Sequence, residues 1–433
     1  MNSATARPAV RQQAEVCIGK AGTPLGTLVY VKQGRRENAV FAYDERWLRS
    51  PDRFAISPDL DLIAGYQSRR APSAQDSPFH FAIADTAPDA WGRRVIAREH
   101  ARRRKGNKAL DPLTEMDYLL AVDDFSRIGA LRLRGHDDSD YRTVADGQRS
   151  TPPLLELHRV YEASRAVERG QETAEDLRYL QGKGTSLGGM RPKCTVIDED
   201  GQLAIGKFPS VGDTRSVTRG EVLALRLAQR AGIDAAQARV VVLNGVPMSI
   251  VRRFDRDAEH GRIPYLSAAS LLQASREEER AYTEIADAIR AHGHAPTQDT
   301  RQLWRRMLFN LLITNVDDHL QNHGFLHVEN GLWRLAPAFD INPFPDKERD
   351  SKTWLSEHDG PVAELETLLA RCAYFALSES DASTILAQVT AAVSIWREVA
   401  QSPGVGLSSG ELDDFAPAFE HEQMTTAKRL LRG

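Results

Sequence analysis

The sequence predicts an α+β protein of two lobes, a mixed N-terminal lobe with an added subdomain and then a mostly helical C-terminal lobe. Three observations predict it. Apolar residues alternate near the N-terminus, as they do in half-buried strands. Short strand-like runs bracket one amphipathic helix between residues 194 and 252. Beyond about Asp257 the text is mostly helical. A length of 433 residues also exceeds what one core usually serves, so two or three packed subdomains are expected.

The elements follow in order. Residues 26–32 and 39–43 alternate as strands, and residues 89–103, after Pro88, read as a helix. Residues 130–133 form a return strand, and the polar stretch 135–153 is the candidate linker. Residues 153–179 look helical, and 182–193 form a glycine-rich loop. Residues 194–197 and 203–208 flank the acidic turn Asp198-Glu199-Asp200-Gly201, which suggests a hairpin. Residues 221–231 are an amphipathic helix whose Val222, Leu223, Leu225, Leu227 and Ala228 face a sheet. Two further strands, 239–243 and 248–252, surround Asn244-Gly245. Glycine loop, two strands, helix, strand pair and helical lobe is the order of a protein-kinase-like fold.

Composition narrows the function. The formal net charge of −4 argues against coating nucleic acid by bulk charge. Arg93-Arg94 through Arg102-Arg103-Arg104-Lys105 is locally basic, and its plain reading is a solvated helix face. Cys17, Cys194 and Cys372 share no metal-ligand spacing and their odd number disfavours a disulfide framework. Residues 1–14 are polar, and no run of 18 apolar residues occurs, so no membrane span and a cytoplasmic location are expected.

The chemistry concentrates at Asn315-Val316-Asp317-Asp318-His319-Leu320-Gln321-Asn322-His323. A helix over 302–314 precedes it, with Leu303, Met307 and Leu311 on one face. Phosphoryl transfer needs this set: an Asp to accept the attacking hydroxyl's proton, an Asn to hold Mg²⁺, and a cation such as His319 near the phosphate. The plain alternative is a polar loop with capping aspartates. Asp340 lies in Phe339-Asp340-Ile341-Asn342 after the strand-like 332–335, where kinases place a metal-binding Asp, although a turn aspartate also fits. Lys207 ends a strand, and a Lys pointing inward there needs partners such as ATP phosphates and Glu221. The loop Ser186 to Lys193 could let backbone amides approach phosphates, and a Gly-Gly pair also marks ordinary turns.

Together these motifs resemble those of HipA-type kinases. Ser186 to Lys193 (SLGGMRPK), Lys207, Val251-Arg252-Arg253-Phe254-Asp255-Arg256, Asp317 to Asn322 and Phe339-Asp340 occur in the family's order. Ala87 to Arg94 (APDAWGRR) and Asp124 to Leu131 (DFSRIGAL) look like its N-terminal subdomain. The resemblance implies a subdomain over 14–140, a glycine-loop and nucleotide-clamping part over 154–256, and a helical catalytic lobe over 257–433. It implies a serine/threonine protein kinase that uses ATP and Mg²⁺. Asp317 would be the base, with His319 near the γ-phosphate. Asn322 and Asp340 would hold Mg²⁺. Gly188, Gly189, Met190, Arg191, Pro192 and Lys193 would cover the nucleotide. Lys207, supported by Glu221, would meet its phosphates, and Arg252, Arg253 and Phe254 would form the hinge. Ser186 would be the autophosphorylated serine. The family further implies a separate HipB-like helix-turn-helix antitoxin, operator DNA bound through that complex, and a translation component such as an aminoacyl-tRNA synthetase as substrate.

Two alternatives stand beside the kinase toxin. One is a kinase-shaped, non-catalytic corepressor of a DNA-binding antitoxin, for which the basic run 93–105 would suit. The other is a metal-dependent hydrolase on Asp317, Asp318 and His319, which would need further ligands such as His323 and His327.

Overall fold

The computed structural model describes residues 9–71, 73, 75–142, 152, 154–180, 189–275, 278–347 and 350–432. The chain divides into two compact units, Met1–Leu203 with Asp255–Leu266, and Ala204–Phe254 with Ser267–Gly433.

The first unit is built on an antiparallel sheet of β1 (Val10–Ile18), β2 (Thr23–Gln33), β3 (Arg36–Tyr43), β4 (Gln67–Arg70) and β5 (Leu131–Gly135), ordered β4-β3-β2-β1-β5. The alternation at 26–32 and 39–43 buries Leu28, Tyr30, Ala39 and Phe41, so one face of each strand enters the core. Helices α1 (Glu45–Arg49), α2 (Phe81–Ala84), α3 (Ala90–Gly106) and α4 (Glu115–Ala121) fall between β3 and β5 in sequence, and α5 (Leu157–Arg169), α6 (Ala174–Leu180) and β6 (Lys193–Ile197) follow. α3 starts at Asp89, whose carboxylate accepts from Gly92 N at 2.7 Å. It buries Trp91, Val95 and Ile96 and leaves Arg102 to Lys105 exposed, at the helix end where cations meet the dipole favourably.

The segment Asp255–Leu266 belongs to this unit for a polar reason. Asp255 accepts from Gly129 N at 2.7 Å, and Arg256 donates to Gly129 O and Arg127 O at 3.1 and 2.8 Å. Arg127, fully buried, donates in turn to the carbonyls of Thr86, Leu119 and Val122. A short strand, β10 (Tyr265–Ser267), lies where the chain passes into the second unit.

The second unit holds an antiparallel array of β7 (Leu203–Lys207), β9 (Val246–Arg252) and β8 (Ala238–Leu243), in that order. β8 and β9 turn through Asn244 and Gly245, both at positive φ, the two-residue hairpin that Asn-Gly favours. α7 (Val217–Arg230) buries Val222, Leu223, Leu225, Leu227 and Ala228. Next come α8 (Ala268–Leu271), α9 (Tyr282–His292) and α10 (Pro296–Leu312). α10 begins six residues before the sequence expectation, because Pro296 at its first turn is compatible with helix. It stops before Thr314, which sits at φ 54° and donates to Ala418 O.

The C-terminal part is not purely helical. β11 (Gly324–Glu329) and β12 (Leu332–Leu335) form a hairpin through Asn330-Gly331, and β13 (Trp354–Ser356) pairs with β14 (Gly360–Pro361). α11 (Leu365–Ala370), α12 (Glu379–Ser394), α13 (Trp396–Gln401), α14 (Ser409–Phe419) and α15 (Glu422–Leu430) complete the unit. No helix among the described residues is long and apolar enough to cross a membrane.

Candidate active site

Three charged groups of the second unit converge first. Lys207 ends β7, and its side chain is 12 % exposed. It donates to Glu221 of α7 and, at 2.6 Å, to Oδ1 of Asp340. The other Glu221 oxygen accepts from Ser249 Oγ of β9 at 2.9 Å, which holds the carboxylate toward the sheet. Burial alone would push the Lys207 ammonium down; the charges of Asp340 and Glu221 outweigh it and raise its pKa above the ordinary range. The site therefore keeps a permanent cation, as a phosphate-binding lysine must be.

Asp340 follows β12 in a left-handed conformation, φ 54°, which a non-glycine residue adopts only when its surroundings enforce it. Asn315 Oδ1 accepts from Asn342 N at 3.3 Å, and Phe344 N donates to Thr314 O at 3.1 Å. These bonds tie the Asp340 segment to the loop that carries Asp317.

That loop alternates its two aspartates. Asp317 is partly exposed and pairs with Lys352. Asp318 is buried and accepts from the Tyr282 hydroxyl, from Asn310 Nδ2 at 2.8 Å and from His323 Nε2 at 3.1 Å. Burial would raise the Asp318 carboxyl; His323 and the hydrogen bonds overcome this and hold it below the usual carboxylate range. Its backbone carbonyl accepts from Thr353 N and Oγ1 at 3.2 and 2.8 Å. Asp318 is thus the anchor that turns Asp317 outward.

Asn322 closes the loop by donating Nδ2 to Asp317 O at 3.1 Å, which leaves its amide oxygen as an acceptor. That oxygen and the Asp340 carboxylate are hard donors of the kind Mg²⁺ takes, so the residues present suit this cation. His319 is half-buried and precedes the turn that ends at Asn322. His323 and His327 do not join it as metal ligands: His323 bonds Asp318, and His327, its pKa pushed down to about 4 by burial, accepts from Gly331 N at 3.1 Å. Among the described residues no group of three His, Cys, Asp or Glu is placed to hold a metal.

The expected hinge ends β9. Arg252 N donates to Gln237 O at 2.8 Å, Arg253 is buried, and the Phe254 ring lies 5.3 Å from that of Phe339, next to Asp340. Ser186 and Gly188 lie outside the described residues. Gly189 to Lys193 belong to the first unit. There Gly189 is at φ 90°, Met190 is 81 % exposed, Arg191 is half-buried, Pro192 is buried and Lys193 pairs with Asp89 at 3.3 Å, both side chains buried. Sequence reasoning missed Ser249, Tyr282, Asn310, the anchoring role of Asp318, and Lys352. Only Asp318, inside the motif, carried a local signal.

Comparison with known proteins identifies the family. Residues 185–396 match the HipA-like C-terminal domain family and residues 15–134 the HipA N-terminal domain family. Two proteins of Sinorhizobium fredii named as kinases are similar. Y4mE is 26 % identical over 71 % of this chain and 73 % of its own, and Y4dM 23 % identical over 74 % and 75 %. Among solved structures, HipA of Shewanella oneidensis, determined with HipB and its operator DNA, covers 97 % of both chains at a TM-score of 0.66 and 15 % identity, so the fold is shared. With both family domains in order and the lysine, glutamate and aspartate of its second unit gathered at one place, the chain belongs to the HipA-like kinase family.

Proposed function

We propose that this chain is a Mg²⁺-dependent serine/threonine protein kinase and the toxin of a toxin–antitoxin pair. The observation that carries the reading is the Lys207–Glu221–Asp340 cluster, joined through Asn315 and Asn342 to the loop of Asp317 and Asn322. Lys207 would bind nucleotide phosphates, Glu221 would hold Lys207 in place, and Asp317 would take the proton of the attacking hydroxyl. His319 would lie by the γ-phosphate and Arg252 to Phe254 would form the hinge, and the family's glycine-loop role falls to Gly188 to Lys193. Asn322 and Asp340 would hold Mg²⁺, which supplies charge neutralisation on the phosphates when bound. Autophosphorylation on Ser186 belongs to the same reading, with nearly two added charges altering its loop. The partner proposed is a separate HipB-like antitoxin, through which operator DNA is reached, since the Shewanella HipA structure contains both. The substrate proposed is a cytoplasmic translation protein of the aminoacyl-tRNA synthetase kind.

Incubation of the purified protein with ATP and Mg²⁺, beside Asp317→Asn, followed by mass spectrometry of the intact chain and its peptides, tests the reading. Phosphate on Ser186 or on a protein of an added extract, only with the unmutated chain, is expected. ATP binding without any phosphate transfer would favour the non-catalytic corepressor instead.

A further inference from the structure

The residue facing Asp317 comes from outside every motif of the sequence. Lys352 lies 35 positions downstream, and its ammonium pairs with Asp317 Oδ1. Its backbone is held tightly. Lys352 N donates to Val316 O at 3.2 Å, Thr353 N to Asp318 O at 3.2 Å, and Trp354 N to Arg280 O at 2.9 Å. Thr353, which is buried, adds its hydroxyl to Asp318 O at 2.8 Å. The segment is thus laced to both sides of Asp317 whether or not the ion pair forms. The side chain is the opposite case, since it is 57 % exposed and its carboxylate partner 38 %. An ion pair that open contributes little to folding and is easily exchanged for a stronger anion. A fixed stem with an exchangeable cationic head is a poor structural device and a suitable catalytic one.

We propose that Lys352 is a second phosphate-facing cation of the transfer site, paired with Asp317 until the terminal phosphate of a bound nucleoside triphosphate draws it away. The proposal rests on Asp317 being the base. A base must lie within hydrogen-bond reach of the acceptor hydroxyl, about 3 Å, and that oxygen lies about 3–3.5 Å from the phosphorus it attacks. A cation bonded to the base therefore stands within one swing of a lysine side chain from the γ-phosphate. The hydroxyl oxygen forms its bond to the γ-phosphorus, and the bond from that phosphorus to the β,γ-bridging oxygen breaks. The electron pair leaves on the nucleoside diphosphate, and the hydroxyl proton goes to Asp317. Lys352 keeps its protons throughout and offsets charge on the transferred group. Drawing the ammonium off Asp317 also frees the carboxylate for the hydroxyl, which couples nucleotide arrival to release of the base.

The test is calorimetric titration of the full chain, wild type, Lys352→Met and Lys352→Arg, with ATP–Mg²⁺ and separately with ADP–Mg²⁺. Lys352→Met is expected to weaken ATP binding about tenfold, the scale of one charge-assisted contact, and to leave ADP within about twofold. Lys352→Arg should retain the preference for ATP. Thermal melting should be unchanged in both variants, because backbone and Thr353 bonds hold the segment. Equal effects of Lys352→Met on the two nucleotides, or none on either, would overturn the role of Lys352 while leaving the kinase reading intact. Failure of the wild type to bind either nucleotide would instead overturn that reading and this proposal with it.

Discussion

Replacing Asp318 with alanine should destabilise the second unit far more than a loop substitution ordinarily does. The carboxylate receives three buried donors: the Tyr282 hydroxyl, Asn310 Nδ2 at 2.8 Å and His323 Nε2 at 3.1 Å. Each donor left unsatisfied costs about 1–3 kcal/mol. The three share one acceptor and relax together, so a loss of about 3–5 kcal/mol is expected, as for other broken buried pairs. Urea unfolding followed by tryptophan fluorescence reads it, because Trp304, Trp333, Trp354 and Trp396 all belong to the second unit. The pH dependence carries a second check. The folded-state pKa of Asp318 lies below its ordinary value, so its contribution is present above the unfolded pKa and is lost as pH falls through the folded one. The gap between wild type and Asp318→Asn should therefore shrink on acidification below the usual carboxylate range. A loss for Asp318→Ala under about 1 kcal/mol, or a gap that widens in acid, would refute the anchoring role.

Three further outcomes follow from the same accounting. Arg127→Met removes the guanidinium that donates to the carbonyls of Thr86, Leu119 and Val122 and should destabilise the first unit by about 2–4 kcal/mol, read by chemical denaturation. Burial pushes the Asp123 carboxyl up to about 6, so its neutral form is favoured in the fold. That raised pKa gives a contribution present below the unfolded pKa and lost as pH rises through about 6, so Asp123→Asn should be the more stable protein at pH 7.5, with the advantage fading toward pH 4. Glu221→Ala removes one of the two carboxylates paired with Lys207 among the described residues and the acceptor of the Ser249 Oγ bond; about 2–3 kcal/mol of stability and much of the ATP affinity should go, measured by melting and calorimetry.

Much of the local structure was legible because its signals are local. Alternation at 39–43, the Asn244-Gly245 hairpin and the Leu303, Met307, Leu311 stripe each depend on neighbours a few positions apart, and each became the expected element. Asn330-Gly331 carries the same turn signal between β11 and β12, and the strand-like reading of 332–335 became β12. The Lys207–Glu221 pair was legible, because a lysine pointing inward from a strand requires an anionic partner; the Lys207–Asp340 pair was not, since the text around Asp340 marks a metal-binding or turn aspartate and nothing local joins it to Lys207.

What the chain determined by itself was the order of its elements and the residue types its chemistry requires. Tertiary structure alone decided which aspartate of the Asp317-Asp318 pair turns inward, since Tyr282, Asn310 and His323 do the turning. It alone returned Asp255–Leu266 to the first unit, through bonds to Gly129 and Arg127, and set Lys352 against Asp317. The physical reason is clearest for the first two. Periodicity and propensity report on positions within a turn or a pleat, whereas a buried carboxylate or guanidinium is satisfied by whichever donors and carbonyls the folded backbone brings to it, at any distance along the sequence.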